Sequence, residues 1–443
     1  MKGDQTMKST RKYATVFDLN GVPRFSQAFP LALQHVVAMI VGCVTPAIVI
    51  SGVANLNAGD TVIFVQAALF IAAISTLLQL FPIGGRVGAG LPVIMGVSFA
   101  YLPSMQAIAG SYSIAAIFGA QLIGGIVAVF VGLFVKKLRI LFPPLITGTV
   151  VFTIGLSLYP TAVKYMAGGE SSPTYGSWQN WLVALITLAV VIALNHFAKG
   201  FLKLSSILIG MIVGYIIAAC FGMVDLSSVG EAGIFQIPRP LYFGMEFEPS
   251  AIVTMVLLFV INSVQAIGDF SATTAGGLDR EPTDKELSGG IVGYGITNIF
   301  GSFFGGLPTA TFSQNVGIVA TTKVVNRMVL GLSAIIILLA GFLPKFSALL
   351  TTIPQCVLGG ATISVFASIA MTGIKLVATQ PLSYRNTAIV GLAVALGMGI
   401  TQCPEALAAF PEWVTTVFGK SPVVVTTLTA ILLNVILPKD KKA

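Results

Sequence analysis

Charged residues are scarce in this chain. Only 9% of its 443 residues are Asp, Glu, Lys or Arg, whereas soluble globular domains carry about 25%. Hydrophobic residues make up 56%, and the mean hydropathy is +0.93. So little charge cannot cover a water-facing surface. The composition therefore excludes a soluble globular protein and predicts an all-α polytopic membrane protein.

Cysteine and histidine are also few, which removes several kinds of chemistry. The four cysteines are far apart and show no CxxC spacing, so we expect reduced thiols. The two histidines have no companion cluster of Cys, Asp or Glu, so we expect no metal site. The sequence contains no HExxH, GxSxG or P-loop motif. An intramembrane enzyme and ATP-driven transport by this chain alone are therefore disfavoured, and no cofactor is expected.

Apolar runs of about 20 residues, the length that crosses a bilayer, recur along the chain. Nine are continuous: 28–52, 61–81, 111–135, 178–197, 204–224, 250–270, 327–344, 384–402 and 422–437. Five more are interrupted by Gly or Pro: 86–105, 140–160, 289–304, 305–322 and 348–374. Together they predict about fourteen transmembrane segments.

The basic residues support this number of segments. With the N-terminus inside, 20 of the 24 Lys and Arg residues fall on the inner side, and only Lys164, Arg239, Lys345 and Lys420 fall outside. Such a bias predicts a multi-pass plasma-membrane protein with both termini in the cytoplasm. It also explains the net charge of +8, so we expect no nucleic-acid partner.

The two halves of the chain repeat. Gly-Leu-Pro at 90–92 in segment 3 recurs at 306–308 in segment 10, and Pro143 of segment 5 matches Pro354 of segment 12. Seven segments separate each pair, and because seven is odd, the halves must have opposite orientations. The pattern predicts a 7+7 inverted repeat with a secondary transporter's binding site near the membrane midplane.

Each Gly-Leu-Pro predicts a short extended strand followed by a half-helix, because proline interrupts a continuous helix. Ser98 and Gln314 stand six residues beyond the two prolines, so the repeat places them on opposite sides of one site. Gln314 and Asn315 offer amide donors and acceptors together. That combination suits a planar heterocycle better than a metal ion or a simple anion.

Two ionisable side chains within the predicted spans are candidates for function. Gln265 and Asp269 of segment 8 are four residues apart, so they share a helix face. Asp269 could serve proton or cation coupling or substrate orientation, with a structural hydrogen-bond acceptor as the alternative. His35 of segment 1 fits a structural role or a proton relay equally well.

Four motifs in chain order resemble those of the nucleobase–ascorbate transporters, also called nucleobase:cation symporter-2, and in particular bacterial xanthine and uric acid permeases. They are LQHVVAMIVG at 33–42, which contains Gln34 and His35, GLPVIMGVSFA at 90–100, VQAIGDFSATT at 264–274 and QNVGIVATTK at 314–323. The resemblance extends from about Phe25 to Pro438. Its combined motifs are highly specific.

The resemblance implies a core domain of segments 1–4 and 8–11 and a gate domain of segments 5–7 and 12–14. It also implies a homodimer and an elevator-type movement of core against gate. The corresponding boundaries are a cytoplasmic tail 1–25, core 26–135, gate 136–224, an outer loop 225–249, core 250–344, gate 345–438 and a cytoplasmic tail 439–443.

The resemblance further implies roles for individual residues. Gln314 would hydrogen-bond the base, Asn315 would organise the site beside it, and Ser98 with Phe99 would contact the base from segment 3. Asp269 matches an acidic residue one turn beyond the main contact of segment 8. A Gln at the position of Gln314 is typical of purine, xanthine or urate carriers, whereas Glu is typical of uracil carriers.

Two positions depart from the family pattern. Gln265 stands where the family usually has Glu, and Tyr294 where its purine members commonly have Asp. The expected function is secondary transport of a purine, xanthine or uric acid, coupled to H⁺ or Na⁺. Both departures remove negative charge, which leaves three alternatives. Coupling could proceed through Asp269 and His35, the protein could be an uncoupled facilitator, or the substrate could be an anion. A uracil or other pyrimidine carrier is the nearest alternative.

Overall fold

The computed structural model describes residues 14–135, 143–170, 172–411 and 414–438. Within these ranges, fourteen helices have ten residues or more, and we number them α1 to α14. The first half contains α1 (Phe25–Val53), α2 (Ala58–Leu80), β1 (Met95–Val97), α3 (Leu102–Ser111), α4 (Ile114–Leu133), α5 (Pro144–Met166), α6 (Trp178–Phe197) and α7 (Ser206–Cys220).

The second half contains α8 (Pro249–Leu278), α9 (Asp284–Phe303), β2 (Thr309–Thr311), α10 (Ser313–Thr322), α11 (Arg327–Gly341), α12 (Gln355–Val377), α13 (Tyr384–Gln402) and α14 (Pro422–Ile436). Short helices at Gly200–Leu204, Ser227–Glu231 and Pro344–Thr351 connect longer ones. The predicted domain boundaries at 136 and 439, most of the N-terminal tail, and Lys136, Lys137 and Arg139 lie outside the described residues.

Seven of the described helices are long and apolar enough to cross a membrane: α1, α2, α4, α5, α6, α8 and α12. An eighth span is possible where α11 continues into Pro344–Thr351 after a bend of 85°. The helices α7 and α14 are apolar but shorter. The prediction of a mostly helical, multi-pass membrane protein is therefore confirmed.

The two halves match in the order of their elements, and several counterparts have equal lengths. A three-residue strand comes before a ten-residue helix in both halves, at β1–α3 and β2–α10. Both α5 and α12 have 23 residues and follow a proline, Pro143 or Pro354, while α7 and α14 have 15 residues each. The expected start of segment 12 at residue 348 is wrong, because Pro344–Thr351 forms a separate short helix and Pro354 sets the start of α12.

The two strands pair with each other inside the protein, which confirms the extended stretches predicted in segments 3 and 10. They run antiparallel, with Met95 opposite Thr311 and Val97 opposite Thr309, and all six residues are buried. Glycine is required at Gly96, because a Cβ there would lie 2.4 Å from the ring of Phe312. The pairing holds the starts of α3 and α10 side by side.

The helices pack in two groups. The first helix group contains α1–α4, α8–α11 and both strands, and the second contains α5–α7 and α12–α14. Within the second group, α5 and α12 approach until their backbones touch, since a Cβ at Gly155 would lie 2.4 Å from the backbone nitrogen of Ala370. Small residues at such crossings are typical of helices packed within a membrane.

Candidate functional site

A cavity of about 180 Å³ lies between the two helix groups, and we call it the central cavity. The first group contributes residues 98–100 after β1, Gln265 on α8, and residues 311–314 around the start of α10. The second group contributes Val151 and Ile154 on α5 and Ser368, Ile369 and Thr372 on α12. The volume is below the roughly 300–1,000 Å³ of pockets for drug-sized ligands, so the cavity suits a small molecule.

The paired strands place two chain turns at the wall of the central cavity. After β1, Ser98 donates its backbone N–H to the Pro308 carbonyl (2.9 Å), and its hydroxyl accepts from the N–H of Ala100 (3.3 Å). After β2, α10 begins at Ser313 with no side-chain cap. The free N–H groups of an uncapped helix start carry partial positive charge, which favours an anion or a carbonyl oxygen there.

Two glutamine side chains reach the central cavity from different helices. Gln314 lies in the first turn of α10, and Gln265 lies in the middle of α8. The Oε1 atom of Gln265 is buried and accepts no hydrogen bond from any residue that the structure describes. Leaving a buried acceptor unpaired costs about 1–3 kcal/mol, so a ligand N–H group beside this oxygen would recover that energy.

Asp269 lies one turn from Gln265 but behind the cavity wall. Its carboxylate accepts hydrogen bonds from the hydroxyls of Thr311 and of Ser313, the latter at 3.0 Å. Both hydroxyl residues line the cavity. Among the described residues, no ionisable side chain lines the central cavity itself. Asp269 therefore anchors the end of β2 and the start of α10 from behind.

Asn315 and His35 join α10 to α1. The Nδ2 amide of Asn315 donates to His35 Nδ1 (3.1 Å) and to the His35 carbonyl (3.2 Å). Both side chains and that of Gln34 are buried, and none of the three lines the central cavity.

Tyr294 on α9 also lies behind the cavity. Its hydroxyl is hydrogen-bonded to the hydroxyl of Tyr101, and the Phe259 ring packs against both tyrosines with centroid distances of 4.9 and 5.6 Å. Tyr101 ends the short 3₁₀ turn that begins at Phe99. Tyr294 thus supports the turn that carries Phe99. Its contact is with Tyr101, two residues after Phe99.

Four of the nine residues predicted for the site, Ser98, Phe99, Gln265 and Gln314, line the central cavity. The other five, Asn315, Asp269, His35, Gln34 and Tyr294, lie outside its wall. The sequence reasoning missed the residues of α5 and α12. One signal was present: Ser368 and Thr372 are polar and four residues apart, so they share one face of α12.

The described ranges contain no group of three or more His, Cys, Asp or Glu side chains that could hold a metal ion. The chemistry available in the central cavity is hydrogen bonding by amides, hydroxyls and backbone N–H groups, combined with apolar contact. This set can recognise a small polar ring but contains no nucleophile with its base.

The fold and this cavity between two helix groups define a membrane transporter. The profile of the Permease family, Xan_ur_permease, matches residues 26–406. The chain belongs to this family, the nucleobase–ascorbate transporters, and is a permease and not an enzyme.

Curated relatives are similar over nearly the whole chain. Uric acid permease PucJ of Bacillus subtilis (strain 168) is 37% identical over 428 residues, which cover 95% of this chain and 94% of that protein. Uric acid permease PucK of the same strain is 37% identical over 410 residues, covering 92% and 95%. Xanthine permease XanQ of Escherichia coli (strain K12) is 33% identical over 440 residues, covering 96% and 94%.

Solved structures share the fold at low sequence identity. The transmembrane domain of a cyanobacterium bicarbonate transporter, BicA, has a TM-score of 0.60 and 18% identity, covering 92% of this chain and 98% of that chain. The structure of SLC26A9 has a TM-score of 0.60 and 12% identity, covering 93% and 66%. At such identities the likeness concerns the fold alone.

Proposed function

We propose that this protein is a secondary transporter of a purine base, uric acid or xanthine, across the plasma membrane. The observation that carries the proposal is the central cavity, where Gln314 and Gln265 present amide groups between paired strand ends and a second helix group. The names of the relatives, two uric acid permeases and a xanthine permease, support the same class of substrate.

Oxidised purines suit the chemistry of this cavity. Their rings carry alternating N–H and C=O groups on the edge, and an amide side chain can pair with both kinds of group. The unpaired Oε1 of Gln265 would accept a ring N–H. The uncapped start of α10 would favour a carbonyl oxygen or the negative charge of a purine anion. In this proposal Ser98, Phe99 and Gln314 contact the base, and Asn315 holds α10 in place.

The packing supports transport by alternating access. We propose fourteen crossings in a 7+7 inverted repeat with both termini inside, in which the first helix group is the core domain and the second is the gate domain. The core carries both strands and most of the cavity wall. An elevator-type movement of the core against a gate domain fixed in a homodimer would expose the cavity first to one side and then to the other.

The energy source is the second part of the proposal. We propose symport with H⁺ or Na⁺, with Asp269 as the candidate coupling group because its carboxylate contacts two hydroxyls of the cavity wall. An uncoupled facilitator is the second candidate. It is favoured by one observation, that no carboxylate lines the cavity in the described part of the chain. A uracil or pyrimidine permease is the alternative within the family.

Uptake of radiolabelled bases into cells that lack their own base carriers tests the proposal. Uric acid, xanthine, hypoxanthine and uracil are compared, each with and without a protonophore or Na⁺. We expect saturable uptake of uric acid or xanthine that collapses with the ion gradient. Uptake that only equilibrates and ignores both gradients would establish the facilitator, and preference for uracil would establish the pyrimidine carrier.

Gln314→Ala should abolish specific uptake at normal expression, because it removes the amide that faces the base. Gln380→Ala is the matched control, since Gln380 lies in the loop after α12, outside the central cavity, and its side chain bonds only to its neighbour Thr379 among the described residues. Unchanged uptake by the Gln314 variant would contradict the location of the site.

A further inference from the structure

A second, larger cavity of about 550 Å³ lies where the two helix groups meet, and we call it the vestibule. The first group contributes the last turn of α1 and part of α3, including Val53 and Gln106. The second contributes the last turns of α5, the start of α12 at Gln355 and the approach to α14 at Lys420. No role in substrate handling has been assigned above to any of these residues.

The vestibule follows the central cavity along the same helices. On α5, Thr161 of the vestibule lies seven residues beyond Ile154 of the central cavity, which is about 10 Å of helix. On α12, Gln355 and Ser368 mark the same two levels. The ring of Phe366 lies between them in the chain. The vestibule therefore lies beyond the central cavity, at the mouth formed where α1 and α5 end.

The vestibule contains half of the basic residues on the outer side of the protein. Only four basic residues are assigned to the outer side, and two of them, Lys164 and Lys420, line this mouth. The only other charged residue of its wall, within the described chain, is Glu170. Two ammonium groups and one carboxylate leave an excess of one positive charge.

Both lysines make contacts that a ligand can replace. Lys164 Nζ lies 2.9 Å from Glu170 Oε1, and both side chains are about half exposed. Lys420 Nζ donates to the hydroxyl of Ser111 at 2.5 Å, across the boundary between the helix groups. Exposed pairs of this kind contribute about 0–1 kcal/mol, so exchange for an anionic ligand is cheap.

The wall also offers neutral hydrogen-bonding groups beside the ammonium groups. Gln106 accepts from the Thr161 hydroxyl at 3.5 Å, again from one helix group to the other. The Gln355 amide packs against Gly169. A Cβ at position 169 would lie 1.4 Å from Gln355 Oε1, so a glycine there leaves room for the amide. Amides and ammonium groups together fit a planar anion with several carbonyl oxygens.

We propose that the vestibule is a second binding site, which captures the monoanion of an oxidised purine from the outer medium before it enters the central cavity. The proposal deepens the proposed function and depends on it for the substrate and for the outward orientation of this mouth. The excess positive charge attracts the anion within the low-dielectric walls of the cleft. Lys164 and Lys420 then exchange their protein partners for its oxygens.

Charge variants test the capture step by the KM of urate uptake at low ionic strength. Lys164→Gln and Lys420→Gln should each raise KM about two- to threefold, the change expected for one unit charge several ångströms away in water. Glu170→Gln should lower KM by a similar factor, because it frees Lys164. Lys345→Gln and Arg239→Gln, the other two outer basic positions, are the matched controls and should leave KM unchanged.

Salt separates an electrostatic effect from a change in structure. At about 1 M salt the Debye length is about 3 Å, so the differences among all five variants should vanish. Equal KM values for Lys164→Gln, Glu170→Gln and Lys345→Gln at low salt, with normal urate uptake, would reject the vestibule site and leave the proposed function standing.

A measurement without transport tests the vestibule independently of the substrate. Ala107, in the vestibule wall, is replaced by Cys in a chain whose four native cysteines are replaced by Ser or Ala. Intact cells then receive membrane-impermeant thiol reagents that carry a sulfonate or a quaternary ammonium group. We expect faster reaction with the sulfonate reagent, and reversal of that preference by Lys164→Glu. No preference, or no reaction from outside, would overturn the proposal whichever base is carried.

Discussion

The rings of Phe99 and Phe366 meet edge to face, with centroids 5.2 Å apart and planes inclined by 74°. Phe99 belongs to the turn after β1, and Phe366 to α12, so the contact joins the two helix groups. Both rings are buried. Phe99 lines the central cavity, and on α12 Phe366 lies between Gln355 of the vestibule and Ser368 of the central cavity. The pair therefore stands at the side of the central cavity that faces the vestibule.

Phe366→Ala should make the central cavity more accessible from the vestibule side. The substitution removes an aromatic contact that contributes about 0.5–1.5 kcal/mol beyond the area it buries. With a cysteine at Thr372 of the cavity wall, we expect about a tenfold faster reaction with an impermeant thiol reagent added outside. Phe300→Ala is the control, because Phe300 packs on Phe304 away from both cavities. Equal rates in the two variants would show that the Phe99–Phe366 pair does not restrict passage.

Gln265→Met should weaken substrate binding with little effect on folding. Methionine keeps the size of glutamine but removes the unpaired amide oxygen from the cavity wall. The loss of one ligand hydrogen bond costs about 1 kcal/mol, so KM should rise about fivefold to tenfold at unchanged expression. Competition assays with purine analogues that lack single ring N–H groups would identify the group recognised. A KM equal to wild type would place Gln265 outside the recognition of the base.

Gln265→Glu should make uptake depend on pH. A carboxylate in the wall of a cavity with no other ionisable lining residue in the described chain would need a proton to coexist with an anionic substrate. We therefore expect uptake of urate by this variant to fall as the pH rises from about 6 to 8, more steeply than in wild type. Parallel pH profiles for the variant and the wild type would contradict this prediction.

Asp269→Asn should disturb the start of α10. The carboxylate accepts from the hydroxyls of Thr311 and Ser313, and hydrogen bonds to a charged group contribute about 1.5–3 kcal/mol each. We expect a KM increase of at least tenfold and a lower melting temperature in detergent. Asp279→Asn, at the residue that follows α8, is the matched control, since its carboxylate is exposed and pairs only with Lys323 among its described contacts. Equal effects of both substitutions would refute the anchoring role.

Gly155→Ala should destabilise the second helix group. A Cβ at this position would lie 2.4 Å from the backbone nitrogen of Ala370, which cannot move away without separating α5 from α12. Overpacking of this kind costs about 1–3 kcal/mol. Gly391→Ala on α13 is the control, because nothing lies within 4 Å of a Cβ there. Thermal unfolding in detergent should therefore shift to lower temperature for the Gly155 variant alone.

Local chemistry explains which parts of the fold the sequence could predict. A proline directly after Gly-Leu favours an extended backbone, so the two Gly-Leu-Pro sequences predicted the strands. Proline alone does not end a helix here, since Pro30 and Pro46 lie within α1 and Pro160 lies within α5. Helical spacing likewise predicted that Gln265 and Asp269 share a face of α8. These inferences needed only the backbone of one segment.

Tertiary packing decided the rest. Gln265 lines the central cavity, whereas Asp269 is hydrogen-bonded to Thr311 and Ser313. This difference depends on the position of β2 relative to α8. The contribution of Ser368 and Thr372 depends on how the second helix group faces the first, which no segment encodes by itself. The 3₁₀ turn that places Phe99 at the wall of the central cavity depends on the same tertiary arrangement.

The pairing of β1 with β2 has a consequence for how such a protein could arise by duplication. Each strand supplies half of one hydrogen-bonding ladder, and the ladder is buried at the centre of the molecule. A half-length ancestor with a single strand would leave that strand's N–H and C=O groups without partners in the membrane. In the proposed inverted repeat, it could complete the ladder only against a second copy inserted the opposite way, which would require an ancestral gene product that enters the bilayer in both directions.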